Sequence, residues 1–275
     1  MELTPQEIER VVAVALAEDV GSGDLTSEAL VPPDARCRAQ LVLEEPGVVC
    51  GVPVAAAVFR ALDASVRVEA LVAEGAVVAS PPTVVAEIEG PARAVLTGER
   101  VALNLFARLC GVASLTRRFV ELVDGTGTTI LDTRKTTPGL RALEKYAVRR
   151  GGGANHRAGL YDAVLVKENH LRIAGGIAAA VASLDGRGDV EVEAETLAQV
   201  REALDAGVGR ILLDNMSPEQ CGEAVALAGG RAGLEASGGI SLATVRSYAE
   251  SGVDFVSVGA LTHSARSLTV SLEVL

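Results

Sequence analysis

Apolar positions along this chain change rhythm twice. Near the start, Ile8, Val11, Val12 and Ala15 recur at helical spacing. Thr4-Pro5-Gln6-Glu7 ahead of them is a capping box with proline at the first helical position. The pattern predicts a helix ending near Asp19, followed by a polar turn over 21–26. From 37 to 89 the apolar runs shorten to strand length, at 39–43, 66–69, 76–79 and 83–88, with one Ala-rich helix over 54–62. Glu45-Pro46-Gly47 and Ser80-Pro81-Pro82 punctuate them as turns. This half reads as an α+β domain on a largely antiparallel sheet. A long helical region, about 91–123, leads out of it, with a break expected at Gly111.

After Gly125-Thr126-Gly127 the rhythm alters again. Six short apolar runs recur at 130–131, 163–166, 190–192, 211–213, 233–236 and 255–258. Helical patterns at 140–149, 177–184, 197–204, 218–227 and 242–251 lie between them. Alternation with short links predicts right-handed βαβ units and a parallel sheet. The stretch from about 110 to 265 is too short for eight βα units, which take about 250 residues. The tail over 267–275 alternates polar and apolar, as a half-buried strand would, and is expected to rejoin the first sheet. The expected fold is therefore α/β: an N-terminal α+β sandwich-like domain over 1–110, rejoined by a strand at 266–275, and an incomplete parallel α/β barrel of six or seven strands over 111–265.

Composition narrows this picture. With 49% hydrophobic but only 3% aromatic residues and no Trp, the core must be aliphatic. A net charge of −11 and a pI near 4.9 argue against nucleic acid and anionic membrane as partners. No apolar run reaches the roughly 18 residues of a membrane span. MELTPQEIER lacks the basic and apolar regions of a signal peptide. Cys37, Cys50, Cys110 and Cys221 are scattered without a C-x-x-C pair, which reads as small buried core residues in a reducing compartment. A cytoplasmic protein is expected.

Against that acidic background, nine Lys or Arg and only three acids fall between Arg134 and Arg172, a local +6 that leaves −17 to the rest of the chain. A basic island of this kind focuses its field on a small, multiply charged anion. Polar residues follow strand after strand: Asp132-Thr133-Arg134-Lys135, Lys167, Glu193, Asp214, Ser237-Gly238-Gly239 and Gly259-Ala260. A barrel builds its active site at those strand ends, and its last two loops often hold phosphate. Gly151-Gly152-Gly153 lets the backbone approach a ligand and delivers Asn155, His156 and Arg157. Glu193 and Asp214 are suited to magnesium, to sugar hydroxyls or to a cationic transition state; alternatively one of them balances Lys167. Arg141, Lys145 and Arg149 line one helix face and are either solvated or paired with another subunit. Neither a P-loop nor a dinucleotide fingerprint stands at a strand–helix junction.

The segment DTRKTTPGLRALEKYAVRRGGGANHRAGLYDAVLVKENH, with VEVEAETL, LLDNM, LEASGGISL, VDFVSVGALTHS, GERVALNLFARLCGVAS and EDVGSGDLT, closely resembles the quinolinate phosphoribosyltransferase family over nearly the whole chain. Cys110 departs from the small residue, such as Ser, expected there. The resemblance implies conversion of quinolinate and phosphoribosyl pyrophosphate to nicotinate mononucleotide, pyrophosphate and carbon dioxide in NAD biosynthesis, with magnesium and no organic cofactor. It further implies that Arg134, His156, Arg157 and a neighbouring subunit's Arg100 bind the quinolinate carboxylates. Lys135 and Lys167 would take pyrophosphate and phosphate, and Glu193 and Asp214 would stabilise the reacting sugar and are candidate metal ligands. Thr133, Ser237, Gly238, Gly239, Val258, Gly259 and Ala260 would complete the substrate contacts. Such a site would be shared across a homodimer. Two other chemistries are compatible with the residues: transfer to another base such as nicotinate, and a Schiff-base lyase using Lys167.

Overall fold

A computed structural model describes residues 3–184 and 190–275. It divides into two compact units, one of residues up to 117 with 136–152 and 262–275, the other of 118–135 with 153–261.

The first unit begins with α1 (Pro5–Val20) and α2 (Leu25–Leu30). Thr4 and Glu7 close the expected capping box, the Thr4 hydroxyl accepting from the Glu7 amide and the Glu7 carboxylate from the Thr4 amide. Residues 25–30 are helix rather than turn, because the Asp24 carboxylate accepts from the amides of Thr26 and Ser27 and so caps the new helix. There follow β1 (Arg36–Leu43), β2 (Gly47–Val48), α3 (Val52–Leu62), β3 (Arg67–Ala70), β4 (Val77–Val78) and β5 (Thr83–Pro91). The main sheet has the order β12-β1-β5-β3 and is antiparallel throughout, where β12 is the tail strand Val270–Val274. Its register sets Leu41 opposite Leu272 and Ala86, so the tail rejoins the first sheet as expected. Leu41, Leu43, Phe59 and Ile88 are fully buried in this unit.

The helix α4 (Ala92–Leu122) runs without the expected break at Gly111. A Cβ at Gly111 would stand 1.9 Å from the carbonyl oxygen of Arg266, so this glycine serves the close passage of another chain segment. Mid-helix glycine costs about 1 kcal/mol against alanine, too little to interrupt a packed helix. In α5 (Arg141–Arg150) Lys145 is only 4% exposed and Glu144 is 0% exposed, so the basic face is not simply solvated. Glu144 accepts from the Arg108 guanidinium at 2.7 Å and from both the amide and hydroxyl of Thr137. Three cysteines are buried and Cys37 is partly exposed, and all four are free thiols.

The second unit carries the parallel strands. They are β6 (Thr129–Leu131), β7 (Val164–Val166), β8 (Val190–Ala194), β9 (Arg210–Asp214), β10 (Gly233–Ser237) and β11 (Phe255–Ser257), in the order β6-β11-β10-β9-β8-β7. Between them lie α6 (Glu168–Ala174), α7 (Ile177–Ala182), α8 (Leu197–Asp205), α9 (Pro218–Ala228) and α10 (Val245–Glu250), with α11 (Ala260–His263) after the last. All six predicted strands are present; α6 and α11 were not anticipated. One parallel bridge, Leu131 to Ala154, adds a rudiment of a seventh strand beside β6. The strands are short and aliphatic, with Ile130, Val192, Ile211, Leu213, Ala236 and Val256 buried, as a sheet covered by helices requires. Among the described residues no helix is long and apolar enough to cross a membrane.

Candidate active site

The carboxyl ends of these six strands surround a cavity of about 360 Å³. Thr133, Arg134 and Lys135 reach it from beyond β6, Lys167 from beyond β7, Glu193 from β8, Asp214 from β9, Ser237 from β10 and Ser257 from β11. His156, Arg157 and Glu235, with Leu165 and Leu212, complete its lining. Parallel strands all present their ends on one side, which is why residues as far apart in sequence as Thr133 and Ser257 converge here.

Asp132 builds the connection between the first strand and the Gly-rich turn. It is completely buried and accepts from the Asn155 amide nitrogen at 2.6 Å and from the His156 backbone at 2.9 Å. That pair of bonds draws residues 155 and 156 against the end of β6. His156 Nδ1 accepts from the Arg157 amide at 2.7 Å, so the ring proton sits on Nε2. Nε2 lies 3.0 Å from Glu191 and 3.6 Å from Glu235. Thus His156 borders the cavity, but both ring nitrogens face protein groups instead of standing free for a carboxylate. Arg157 donates to the Ala163 carbonyl, while its Nε is buried and has no hydrogen-bond partner among the described residues. Burial, and then the neighbouring Arg134 charge, pull the Arg157 guanidinium below its ordinary value. Two cations held this close, one with an unused buried donor, form a receptor for an anion.

The same cavity also holds acids. Lys167 Nζ lies 3.0 Å from Glu193, so Glu193 is the acid that balances Lys167. Burial and then the Glu193 charge push the Asp214 carboxyl up, against Lys167, Lys135 and a hydrogen bond from Asn215. Oxygens of Glu193, Glu195 and Asp214 lie within 4.8 Å of one another, a donor set that fits a hard divalent cation. Glu195 was not anticipated. Gly238 has φ +107, and a Cβ there would meet the Asn215 side chain at 2.3 Å; only glycine lets this backbone pass beside the site. Gly239 follows at φ +61. Gly259 precedes α11 and Ala260 opens it, a helix of only four residues. Val258 is buried and its amide donates to Leu131, so its side chain belongs to the core. Arg100 is exposed on α4, in the other unit, and makes no side-chain ion pair or hydrogen bond among the described residues.

Beneath the cavity the structure holds charges that strand-end counting misses. Glu191 and Glu235 lie inside β8 and β10, and Arg210 opens β9 between them. Burial raises the Glu191 carboxyl, but the hydrogen bond from His156 and the Arg210 charge outweigh it and the net shift is downward. Glu235, buried more deeply and facing Glu191, is pushed up. The available signal was an acid inside a strand whose neighbours are uniformly apolar, two residues from a site residue and hence on the same face.

Models of the quinolinate phosphoribosyl transferase N-terminal domain and C-terminal domain match residues 24–110 and 112–273. The chain belongs to this family. A relative from Bacillus subtilis (strain 168), named probable nicotinate-nucleotide pyrophosphorylase [carboxylating], is 42% identical over 261 residues, 94% of this chain and 90% of the relative. The structure of NadC from Streptococcus pyogenes superposes with TM-score 0.94 at 42% identity, covering 100% of this chain and 99% of that one. That of the nicotinate-nucleotide pyrophosphorylase from Francisella tularensis gives TM-score 0.95 at 39% identity, covering 100% and 98%. Membership in the family agrees with cations and carboxylates gathered at the strand ends of an incomplete barrel.

Proposed function

We propose that this chain transfers the phosphoribosyl group of phosphoribosyl pyrophosphate to quinolinate and releases carbon dioxide, forming nicotinate mononucleotide and pyrophosphate for NAD biosynthesis. The observation that carries this reading is the gathering in one cavity of Arg134, Lys135, Arg157 and Lys167 with Glu193 and Asp214. Quinolinate brings two carboxylates, for which Arg134 and Arg157 supply planar donor forks. Lys135 and Lys167 suit the pyrophosphate and the 5′-phosphate, with the Gly238-Gly239 and Gly259-Ala260 loops as backbone donors. As the bond from the anomeric carbon to pyrophosphate breaks, positive charge grows on the sugar, and Glu193 and Asp214 stabilise it. The ring nitrogen of quinolinate then bonds to that carbon and becomes a pyridinium. Loss of the adjacent carboxylate as carbon dioxide leaves its electron pair on the ring carbon, which takes a proton from solvent. Magnesium, held by Glu193 and Asp214 with help from Glu195, would neutralise charge on the pyrophosphate leaving group.

We further propose a homodimer in the cytoplasm. The four scattered cysteines, with no C-x-x-C pair, support a reducing compartment. Exposed Arg100, which makes no side-chain ion pair or hydrogen bond among the described residues, supports a contribution to a second subunit's site. Mixing Arg100→Ala with Lys135→Ala under subunit exchange should restore about a quarter of wild-type activity, because mixed dimers carry one intact site. A mixture as inactive as its parents, with exchange demonstrated, would remove the shared site.

The direct test of the activity is nicotinate mononucleotide formation from quinolinate against nicotinate as the base. Equal or better turnover of nicotinate would overturn the assignment. A Schiff-base lyase is disfavoured by the Lys167–Glu193 pair, which occupies the lysine nitrogen with a carboxylate at 3.0 Å.

A further inference from the structure

From the geometry below the cavity we infer that Arg210 is a positioning residue for the anion site, acting through Glu191, Glu235 and His156 on Arg157. The inference rests on the quinolinate reading of that site and names a residue the reading itself does not require.

Arg210 opens β9 at the end of the strand remote from Asp214, and it does not line the cavity at the strand ends. Its guanidinium is packed over the Phe255 ring, 4.0 Å from the centroid, and is 32% exposed. The strands on either side are β8 and β10, and each offers one buried glutamate to it. Glu191 sits directly opposite Arg210 in the parallel register, with its Oε1 3.2 Å from Arg210 Nε, an ionic contact without hydrogen-bond alignment. Glu235 meets the terminal nitrogen of the same guanidinium. Each carboxylate turns its other oxygen toward His156: Glu191 at 3.0 Å and Glu235 at 3.6 Å from Nε2.

The four groups therefore close a ring, with Arg210 below, His156 above and a glutamate on each side. Two neighbouring carboxylates sealed from water repel one another unless a cation stands between them. Arg210 is that cation, and its planar fork reaches both at once. With the carboxylates fixed, Glu191 holds the Nε2 proton of His156 and leaves Nδ1 to accept from the Arg157 amide. Asp132 fixes the same histidine through its backbone, so ring and main chain are oriented separately. The last step of the chain sets where the Arg157 guanidinium enters the cavity. Charge at one end of β9 thus orients a ligand-binding cation at the other end of the strands.

The test compares Arg210→Met, which keeps length and removes charge, with Arg210→Lys, which restores charge but reaches one carboxylate at a time. In steady-state assays Arg210→Met should raise KM for quinolinate about tenfold and leave KM for phosphoribosyl pyrophosphate within about twofold, with Arg210→Lys intermediate. Nitrogen-15 spectra of the ring give a reading that needs no activity, and His156 is one of only three histidines to assign. Wild type should show the neutral ring with its proton on Nε2, and Arg210→Met should lose that signature. Unchanged His156 signals, or a KM that rises equally for both substrates, would overturn the inference. Should Arg210→Met fail to fold, Arg210→Lys decides alone: wild-type KM for quinolinate would overturn it. Wild-type protein inactive on quinolinate would instead remove the functional reading, with the His156 spectra still deciding the role of Arg210.

Discussion

Replacing Asp132 with Asn is a small change in volume with a large expected effect. The wild-type carboxylate is fully buried and accepts hydrogen bonds from the Asn155 side chain and from the His156 backbone. Hydrogen bonds to a charged partner contribute about 1.5–3 kcal/mol each. The substituted amide keeps one oxygen and can satisfy one donor, while its NH₂ must face the other. One charge-assisted bond is then lost, the surviving one weakens to a neutral bond, and one buried donor is left facing another. The expected loss is about 2–4 kcal/mol. For a protein of this size, 1 kcal/mol corresponds to roughly 2–4 °C in Tm, so a fall of about 4–16 °C should follow. Circular dichroism melts and urea midpoints, measured with wild type in parallel, read it directly. Activity should fall further than stability explains, because His156 and Arg157 are seated by these same bonds. A variant within about 0.5 kcal/mol of wild type would refute the assignment of Asp132 as the anchor of the Gly-rich turn.

Two further substitutions test the first unit. Gly111→Ala gains about 1 kcal/mol of helix propensity, but its Cβ would stand 1.9 Å from a backbone carbonyl, so the net change should be destabilising by about 2 kcal/mol in urea unfolding; a stabilised variant would contradict the close passage of Arg266. Glu45 is held down to about 2 by the hydrogen bond from Arg266, then by bonds from Thr269. A depressed carboxyl contributes stability above its unfolded value of 4.5, and loses it as pH falls toward 2. With the Arg266 side chain 69% exposed, Glu45→Gln should cost only about 1 kcal/mol at pH 7, and that gap should close between about pH 4.5 and 2. A gap that persists unchanged at pH 2 would show that charge is not its source.

What could be read from the sequence was what period and local chemistry encode. Six aliphatic runs at βα spacing specify six parallel strands, because their neighbours in space follow from the repeat itself. The tail strand was legible for the same reason: strict alternation needs a sheet, and the first domain offered one. Gly111 misled because its reason lies in Arg266, 155 positions away, and no local pattern carries that contact. Lys145 misled through the same blindness, since helical spacing gives a face but not what covers it. In the site, cations at strand ends could be found by position alone. Glu191, Glu235 and Arg210 could not, because they lie within the strands and acquire meaning only from the order β8-β9-β10.

The cation count of the cavity bears on the choice of base. Burial, and then the Arg134 charge, pull Arg157 below its ordinary value, and its buried Nε has no hydrogen-bond partner among the described residues. A dianion relieves both conditions, because each carboxylate can take one guanidinium. A monoanion such as nicotinate satisfies one and leaves the other desolvated beneath the ligand. Truncating one member of a buried, hydrogen-bonded charge pair costs about 2–5 kcal/mol. Quinolinate should therefore exceed nicotinate in kcat/KM by roughly thirtyfold to several thousandfold, since about 1.4 kcal/mol is a factor of ten. Arg157→Ala should remove most of that preference by weakening quinolinate selectively, with nicotinate nearly unaffected. If the variant loses both bases in equal proportion, the second cation holds the protein together and does not read the second carboxylate.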